Sequence, residues 1–101
     1  MKIIPHSMHA RRTSKPEYGP YILRALKSRG KATMDEVLDE TFCLMKPRLY
    51  PADLEELPGG APRWRRQAEN MLDGLLEDGY VAGSRGRLTL TRRGLDYLSG
   101  S

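Results

Sequence analysis

The chain has 101 residues, 39% of them hydrophobic, which leaves room for one small domain with a modest core. Its 17 Lys and Arg residues exceed its 13 Asp and Glu residues, and the resulting formal charge of +4 is too small by itself to identify a nucleic-acid partner. No apolar run approaches the roughly 18 residues of a membrane span, and the single cysteine excludes an intrachain disulfide, so we expect a soluble cytoplasmic protein with no membrane partner.

The first 14 residues are predicted to form a flexible basic arm, because they contain no acidic residue and show no hydrophobic periodicity. Arg11 and Arg12 make this arm a candidate contact for a polyanion. His6 and His9 lie three residues apart, but no third metal ligand is near them in the sequence. We therefore expect no bound metal and no cofactor.

Two capping-box patterns predict the starts of two helices. Residues 14–17, Ser-Lys-Pro-Glu, open a first helix that runs to about Arg29. Pro20 predicts a short first turn and a bend before its regular part. Residues 33–36, Thr-Met-Asp-Glu, open a second helix that ends near Met45.

The second helix is predicted to have an apolar inner side and an acidic outer side. The acidic side carries Asp35, Glu36, Asp39 and Glu40. Phosphate groups would be repelled by it, so it is expected to face solvent or a basic partner. Cys43 is predicted to be buried or half-buried as a small apolar residue, because no histidine lies near enough in the sequence to activate it as a nucleophile.

Residues 46–62 form a link rich in proline and glycine, far longer than the turn of a simple helix-turn-helix. A single helical turn fits residues 53–57. The large residues of the link predict that it folds back on the core, and an interaction surface is the alternative. These residues are Leu49, Tyr50, Leu54 and Leu57.

Residues 63–79 predict one long amphipathic helix. Its apolar stripe consists of Trp64, Ala68, Met71, Leu72, Leu75 and Leu76. We expect Trp64 to pack in the core rather than to stack on a base. The first two turns carry side chains that can hydrogen-bond to phosphates and base edges, namely Arg63, Arg65, Arg66, Gln67 and Asn70.

Residues 80–84 and 87–91 predict a two-stranded hairpin with one face turned inward. Its short loop has Arg85 at the tip and Gly86 beside it. The brief extended piece 31–33 is expected to pair with this hairpin as a third strand.

A final helix is predicted over about residues 93–99, with Leu95 and Leu98 returning to the core. The fold class predicted for residues 15–99 is α+β and mostly α. Its arrangement is that of a winged helix-turn-helix, with a three-helix core, a β wing of two or three strands and a C-terminal helix.

Three motifs resemble the N-terminal winged-helix domain of Mrr-type restriction proteins. They are the link Leu54-Glu-Glu-Leu57-Pro58-Gly59-Gly60, the helix start Arg63-Trp64 followed by Ala68, and the wing ending Leu88-Thr-Leu-Thr-Arg-Arg-Gly94. The resemblance covers residues from about 16 to 98. It implies a module that binds DNA in front of a separate nuclease domain. No acidic-acidic-Lys nuclease signature follows in this chain, so we expect no cleavage activity and no enzyme.

The leading expectation is a DNA-binding protein, either a transcription regulator or the DNA-recognition subunit of a restriction or defence system with a separate nuclease or effector. The expected DNA contacts are Arg63, Arg65, Arg66, Gln67 and Asn70 on the helix, Arg85 and Arg87 on the wing, and Arg11 and Arg12 in the arm. A homodimer would enlarge the small contact of one module with double-stranded DNA. The alternative is a protein-interaction module, in which the acidic helix face and the link bind a partner and the arginines only solubilise the surface.

Overall fold

The structure, a computed structural model that describes residues 11–100, is mostly helical and contains a small three-stranded antiparallel sheet. This confirms the α+β, mostly α composition expected from the sequence. The elements in chain order are α1 (Tyr18–Arg29), β1 (Lys31–Ala32), α2 (Met34–Met45), α3 (Pro51–Leu54), α4 (Arg63–Glu77), β2 (Val81–Ser84), β3 (Arg87–Leu90) and α5 (Arg92–Gly100). The predicted arm up to residue 10, with both histidines, lies outside the described residues.

Both predicted capping boxes are present. Thr33 accepts a hydrogen bond from the Glu36 N–H over 3.2 Å, and the Glu36 carboxylate accepts one from the Thr33 N–H over 2.9 Å. The Ser14 N–H donates to Glu17 in the same way, over 2.9 Å. This second box opens a 3₁₀ turn, and α1 follows it directly. Pro20 lies in the first turn of α1, where its missing N–H removes no intrahelical hydrogen bond.

The core forms where the apolar sides of α1, α2 and α4 meet. Trp64 is buried and stacks on Phe42, with ring centroids 4.7 Å apart and an interplanar angle of 29°. The predicted stripe of α4 is confirmed, since Ala68, Leu72 and Leu75 are also buried. Trp64 therefore stabilises the packing of α4 on α2, as expected for an apolar helix face.

The sheet has the strand order β1-β3-β2. On β3, Leu88 is buried against the core, whereas Arg87 is exposed and Thr89 is half-buried. Successive residues of a strand point to opposite faces, so burial of Leu88 turns Arg87 and Thr89 to the outer face. Lys31 pairs with Thr89 in the register and therefore lies on this same outer face.

Helix α5 begins with a tight junction between the hairpin and the end of α4. The Thr91 hydroxyl accepts a hydrogen bond from the Gly94 N–H over 3.1 Å and donates one to the Gly79 carbonyl over 2.6 Å. Gly94 lies directly against the carbonyl oxygen of Tyr80, with no space for a Cβ. The Leu-Thr-x-x-Gly pattern that ends the wing thus has a packing reason: threonine caps the helix and glycine permits its close approach.

Two predictions of burial are wrong, those for Leu95 and Cys43, and the link leaves Leu54 exposed although its other large residues are half-buried. Leu95 is 41% exposed and Leu54 is 52% exposed, and Cys43 is also exposed. The Gly94 junction turns that side of α5 inward, so the next residue, Leu95, faces solvent. Cys43 lies about 200° around α2 from the buried Thr41.

The link and the start of the described chain are joined by a buried carboxylate. Asp53 is fully buried and accepts hydrogen bonds from the Thr13 N–H over 2.9 Å, the Thr13 hydroxyl over 2.8 Å and the Tyr50 N–H over 2.8 Å. Thr13 therefore packs with the domain, although the sequence pattern places it in the arm. Tyr18 lies nearby, where burial and the Asp53 charge raise the pKa of its hydroxyl.

We expect Gly94→Ala to lower the free energy of unfolding by about 1–3 kcal/mol, because the added methyl group would collide with the Tyr80 carbonyl. Gly74→Ala is the matched control within helix α4. No atom lies near its added Cβ, so the higher helix propensity of alanine should raise stability by about 1 kcal/mol. Urea denaturation of the two variants measures both changes. Equal effects of the two substitutions would contradict the packing role of Gly94.

Candidate nucleic-acid interface

The outer face of the sheet carries an exposed basic cluster. Lys31 comes from β1, Arg87 from β3 and Arg85 from the turn between β2 and β3, and together with Ser84 they line one open groove. Lys31 and Arg87 are on the same face because Thr89, the register partner of Lys31, is two residues from Arg87. We call Lys31, Arg85 and Arg87 the wing cluster.

The hairpin turn holds Arg85 at its tip. Ser84 pairs with Arg87, so Arg85 and Gly86 are the two turn residues. Their φ angles are +52° and +78°, the signs that a type I′ turn requires at both positions. Asparagine or glycine usually fills the first of these positions. Arginine at this position is unfavourable for the turn.

The positive charges of the wing cluster are not neutralised by ion pairs among the described residues. Within residues 11–100, no carboxylate lies within 4 Å of Lys31, Arg85 or Arg87. Glu36 is one acidic residue that the charge of Arg87 influences. The Thr33 N–H lowers the pKa of Glu36 most strongly, and the positive charges of Arg29 and Arg87 lower it further. Arg87 therefore acts on this carboxylate as a minor cause beside the Thr33 hydrogen bond.

Unlike the wing cluster, the predicted arginines at the start of α4 have their charge partly neutralised, because each lies beside a carboxylate. Arg65 makes ion pairs with Asp35 over 2.6 Å and with Glu69 over 3.4 Å. Arg66 reaches Glu69 only at 4.0 Å and is half exposed. This part of the predicted basic face is therefore locally close to neutral.

Arg63 is fixed to the link rather than free on the surface. Its Nε donates to the Ala52 carbonyl over 3.3 Å, and its Nη2 lies 3.9 Å from Glu55. Its side chain is only 25% exposed. Arg63 thus holds the link against the start of α4, a role that the sequence did not indicate.

Two of the polar residues predicted on α4 share an exposed line. Arg66 and Asn70 are exposed and lie one helical turn apart, while Gln67 is half-buried beside them. Arg66 and Asn70 are therefore the α4 side chains most available to a ligand.

Arg11 lies elsewhere on the surface, with its guanidinium 5.2 Å from the centre of the Tyr50 ring. Tyr50 follows the C-terminal end of α2, whereas the wing cluster adjoins the N-terminal end of that helix through Met34. Twelve residues of α-helix span about 18 Å, so these two places are well separated. Arg12 is exposed. The structure thus brings Arg85 and Arg87 together but does not bring Arg11 to them.

Lys31 is the member of the site that sequence reasoning missed. The signal was available, since the piece 31–33 was expected to pair with the hairpin. Period-two alternation would then have placed Lys31 beside Arg87 once the register was known.

Comparison of the sequence with protein-family models gives no match, and comparison with curated proteins gives none either. Within residues 11–100, no helix is long and apolar enough to cross a membrane. In the same part of the chain, no three His, Cys, Asp or Glu side chains are grouped so that they could hold a metal ion.

We expect Arg85→Asn to stabilise the protein, because asparagine adopts positive φ more readily and recovers part of the roughly 1–2 kcal/mol penalty of the left-handed region. A gain of about 0.5 kcal/mol corresponds to a rise in thermal midpoint of about 2–4 °C for a domain of this size. Differential scanning calorimetry measures the shift. A lower midpoint would show that the Arg85 side chain contributes to folding.

Proposed function

We propose that this protein binds double-stranded DNA as a winged helix, with the hairpin as its wing. The observation that carries the proposal is the wing cluster: three exposed cations on one sheet face, without a carboxylate partner among the described residues. Phosphate contacts by clustered Lys and Arg supply most of the sequence-independent affinity for DNA. A folded domain has no packing need for such a cluster, and like charges held together oppose folding.

The order of elements supports the winged-helix interpretation. The main elements follow one another as helix α1, short strand β1, helix α2, long helix α4 and the hairpin of β2 and β3. Strand β1 pairs with β3, the second strand of the hairpin. This is the order implied by the resemblance to the N-terminal domain of Mrr-type restriction proteins. We propose that the chain belongs to that class of DNA-recognition module and carries out no catalysis of its own. A regulator of transcription and a recognition subunit acting with a separate nuclease or effector are both consistent with this role.

In the proposed complex, the N-terminal half of α4 faces the major groove, and Arg66 and Asn70 lie nearest the base edges. The wing cluster contacts the sugar-phosphate backbone. Asp35 and Glu69 do not prevent binding, because exposed ion pairs contribute only about 0–1 kcal/mol and phosphate can replace the carboxylate. They would instead reduce the contribution of Arg65. The positive end of the α4 dipole adds to the attraction.

A second candidate function is binding to a basic protein partner through α2 and the link. The ion pairs of Arg65 favour it, because they give this arginine a structural role that needs no DNA. Asp39 is exposed and makes no ion pair within residues 11–100, and Leu54 is an exposed apolar residue in the link. These groups would form the contact. The DNA proposal is stronger because it explains the wing cluster, which this alternative leaves unused.

We expect the wild-type protein to bind a random-sequence duplex with an affinity that falls steeply between about 50 and 200 mM salt. If the three cations of the wing cluster and one arginine of α4 contact four phosphates, the slope of log affinity against log salt should be about −3.6. Fluorescence anisotropy measures the slope, and the mass of the complex measured alongside gives the assembly state.

The matched variant combines Lys31→Gln, Arg85→Asn and Arg87→Gln. We expect it to fold with unchanged or higher stability and to show a slope less steep by about 2.7, because three phosphate contacts are lost. A variant with Asp39→Asn and Leu54→Ser, on the alternative surface, serves as the control and should bind DNA as the wild type does. A slope near zero for the wild type would contradict the proposed function.

A further inference from the structure

Helix α1 presents a basic stripe that the proposed complex does not use. Tyr21, Arg24 and Ser28 recur at the helical spacing and therefore lie on one side of the helix, with Lys27 beside them. Arg24, Lys27 and Ser28 line one open groove together with Leu98 of α5. The sequence contains no acidic residue between Tyr18 and Met34, so nothing on the helix itself offsets these charges.

The N-terminal part of the stripe is ordered by an aromatic ring. The guanidinium of Arg24 lies 5.2 Å from the centre of the Tyr21 ring, and that of Arg48 lies 5.4 Å from it. Arg48 also donates a hydrogen bond to the Tyr21 hydroxyl over 2.7 Å. Guanidiniums held in this way lose less conformational entropy when they bind a phosphate.

Only one acidic side chain adjoins the ordered arginines among the described residues. Glu17 makes an ion pair with Arg48 over 3.1 Å, and both side chains are almost half exposed. Such a pair contributes little to stability and exchanges readily for another anion. Arg24 and Lys27 have no ion-pair partner within residues 11–100. The stripe therefore retains most of its positive charge.

The stripe is continuous with the wing cluster along the chain. Lys31, a member of the wing cluster, follows Ser28 by three residues, just after α1 ends. From Tyr21 to Arg29, the last residue of α1, the backbone advances about 12 Å at the rise of an α-helix. Successive phosphates of one strand advance about 3.4 Å along the duplex axis, so a stripe of this length can contact more than one of them.

We propose that Arg24 and Lys27 on the exposed side of α1, with Arg48 of the link beside them, form a second phosphate-binding surface that extends the DNA contact beyond the wing. The inference rests on the proposed function and defines the path of the DNA backbone over the protein. The ligand is the phosphodiester backbone of a duplex, recognised by charge without base readout. The closeness of this surface in the chain to the wing cluster favours nucleic acid over an anionic membrane.

The test compares two double variants that lose the same charge. Arg24→Gln with Lys27→Gln removes two cations from the stripe, and Arg92→Gln with Arg93→Gln removes two exposed cations from the start of α5. We expect the stripe variant to reduce the steepness of the salt dependence by about 1.8, since each phosphate contact contributes about 0.9. The α5 control should keep the wild-type slope. Thermal midpoints measured alongside establish that both variants are folded.

The outcomes separate this inference from the proposed function. If the wild type binds the duplex and the stripe variant keeps the wild-type slope, the second surface is refuted and the wing proposal stands. If the wild type does not bind the duplex, both proposals fail. Vesicles that contain phosphatidylserine are the second probe. If the wild type binds these vesicles and the stripe variant does not, while both bind the duplex equally, the stripe is a membrane-binding surface. That result would overturn the inference.

Discussion

Burial of Leu88 beneath the sheet is the constraint on which the candidate site depends. A strand alternates its side chains between two faces, so one buried leucine on β3 determines that Arg87 points to solvent. Pairing with β1 then adds Lys31 to the same face, and the tight turn adds Arg85 at the edge. A shift of the register by one residue would expose the leucine and turn the arginine inward, so the core packing that folds the domain also assembles its charged surface.

The basic clusters predicted from the sequence differ in how far acidic neighbours neutralise them in the structure. The arginines at the start of α4 lie beside Asp35, Glu55 and Glu69, whereas the wing cluster and the basic side of α1 have almost no acidic neighbours. The first group therefore helps to hold α2, the link and α4 together. The second group is available to an anionic ligand. In the proposed complex the hairpin and α1 would supply most of the affinity, and the exposed side of α4 would supply base contacts through Arg66 and Asn70.

Much of the fold could be predicted because its signals are local. Capping boxes, the stripe around Trp64 and the alternation around Leu88 each depend on residues within one or two turns or along one strand. The features that sequence reasoning missed join distant residues. Arg65 meets Asp35 thirty positions away, and Thr13 meets Asp53 forty positions away. Such pairs depend on how helices and link are packed, which periodicity does not specify. Leu95 was misassigned for a similar reason, since the Gly94 contact with Tyr80 sets the rotation of α5.

The most direct test of the central claim is an NMR titration of the labelled protein with a short duplex, following backbone amide shifts. If the outer sheet face, the start of α4 and the exposed side of α1 bind DNA, the largest shifts should occur at Lys31, at residues 85–87, at Arg66 and Asn70 and along residues 24–28. The acidic side of α2 around Asp39 should remain unshifted. Shifts concentrated on α2 and the link, or no shift at low salt, would contradict the account.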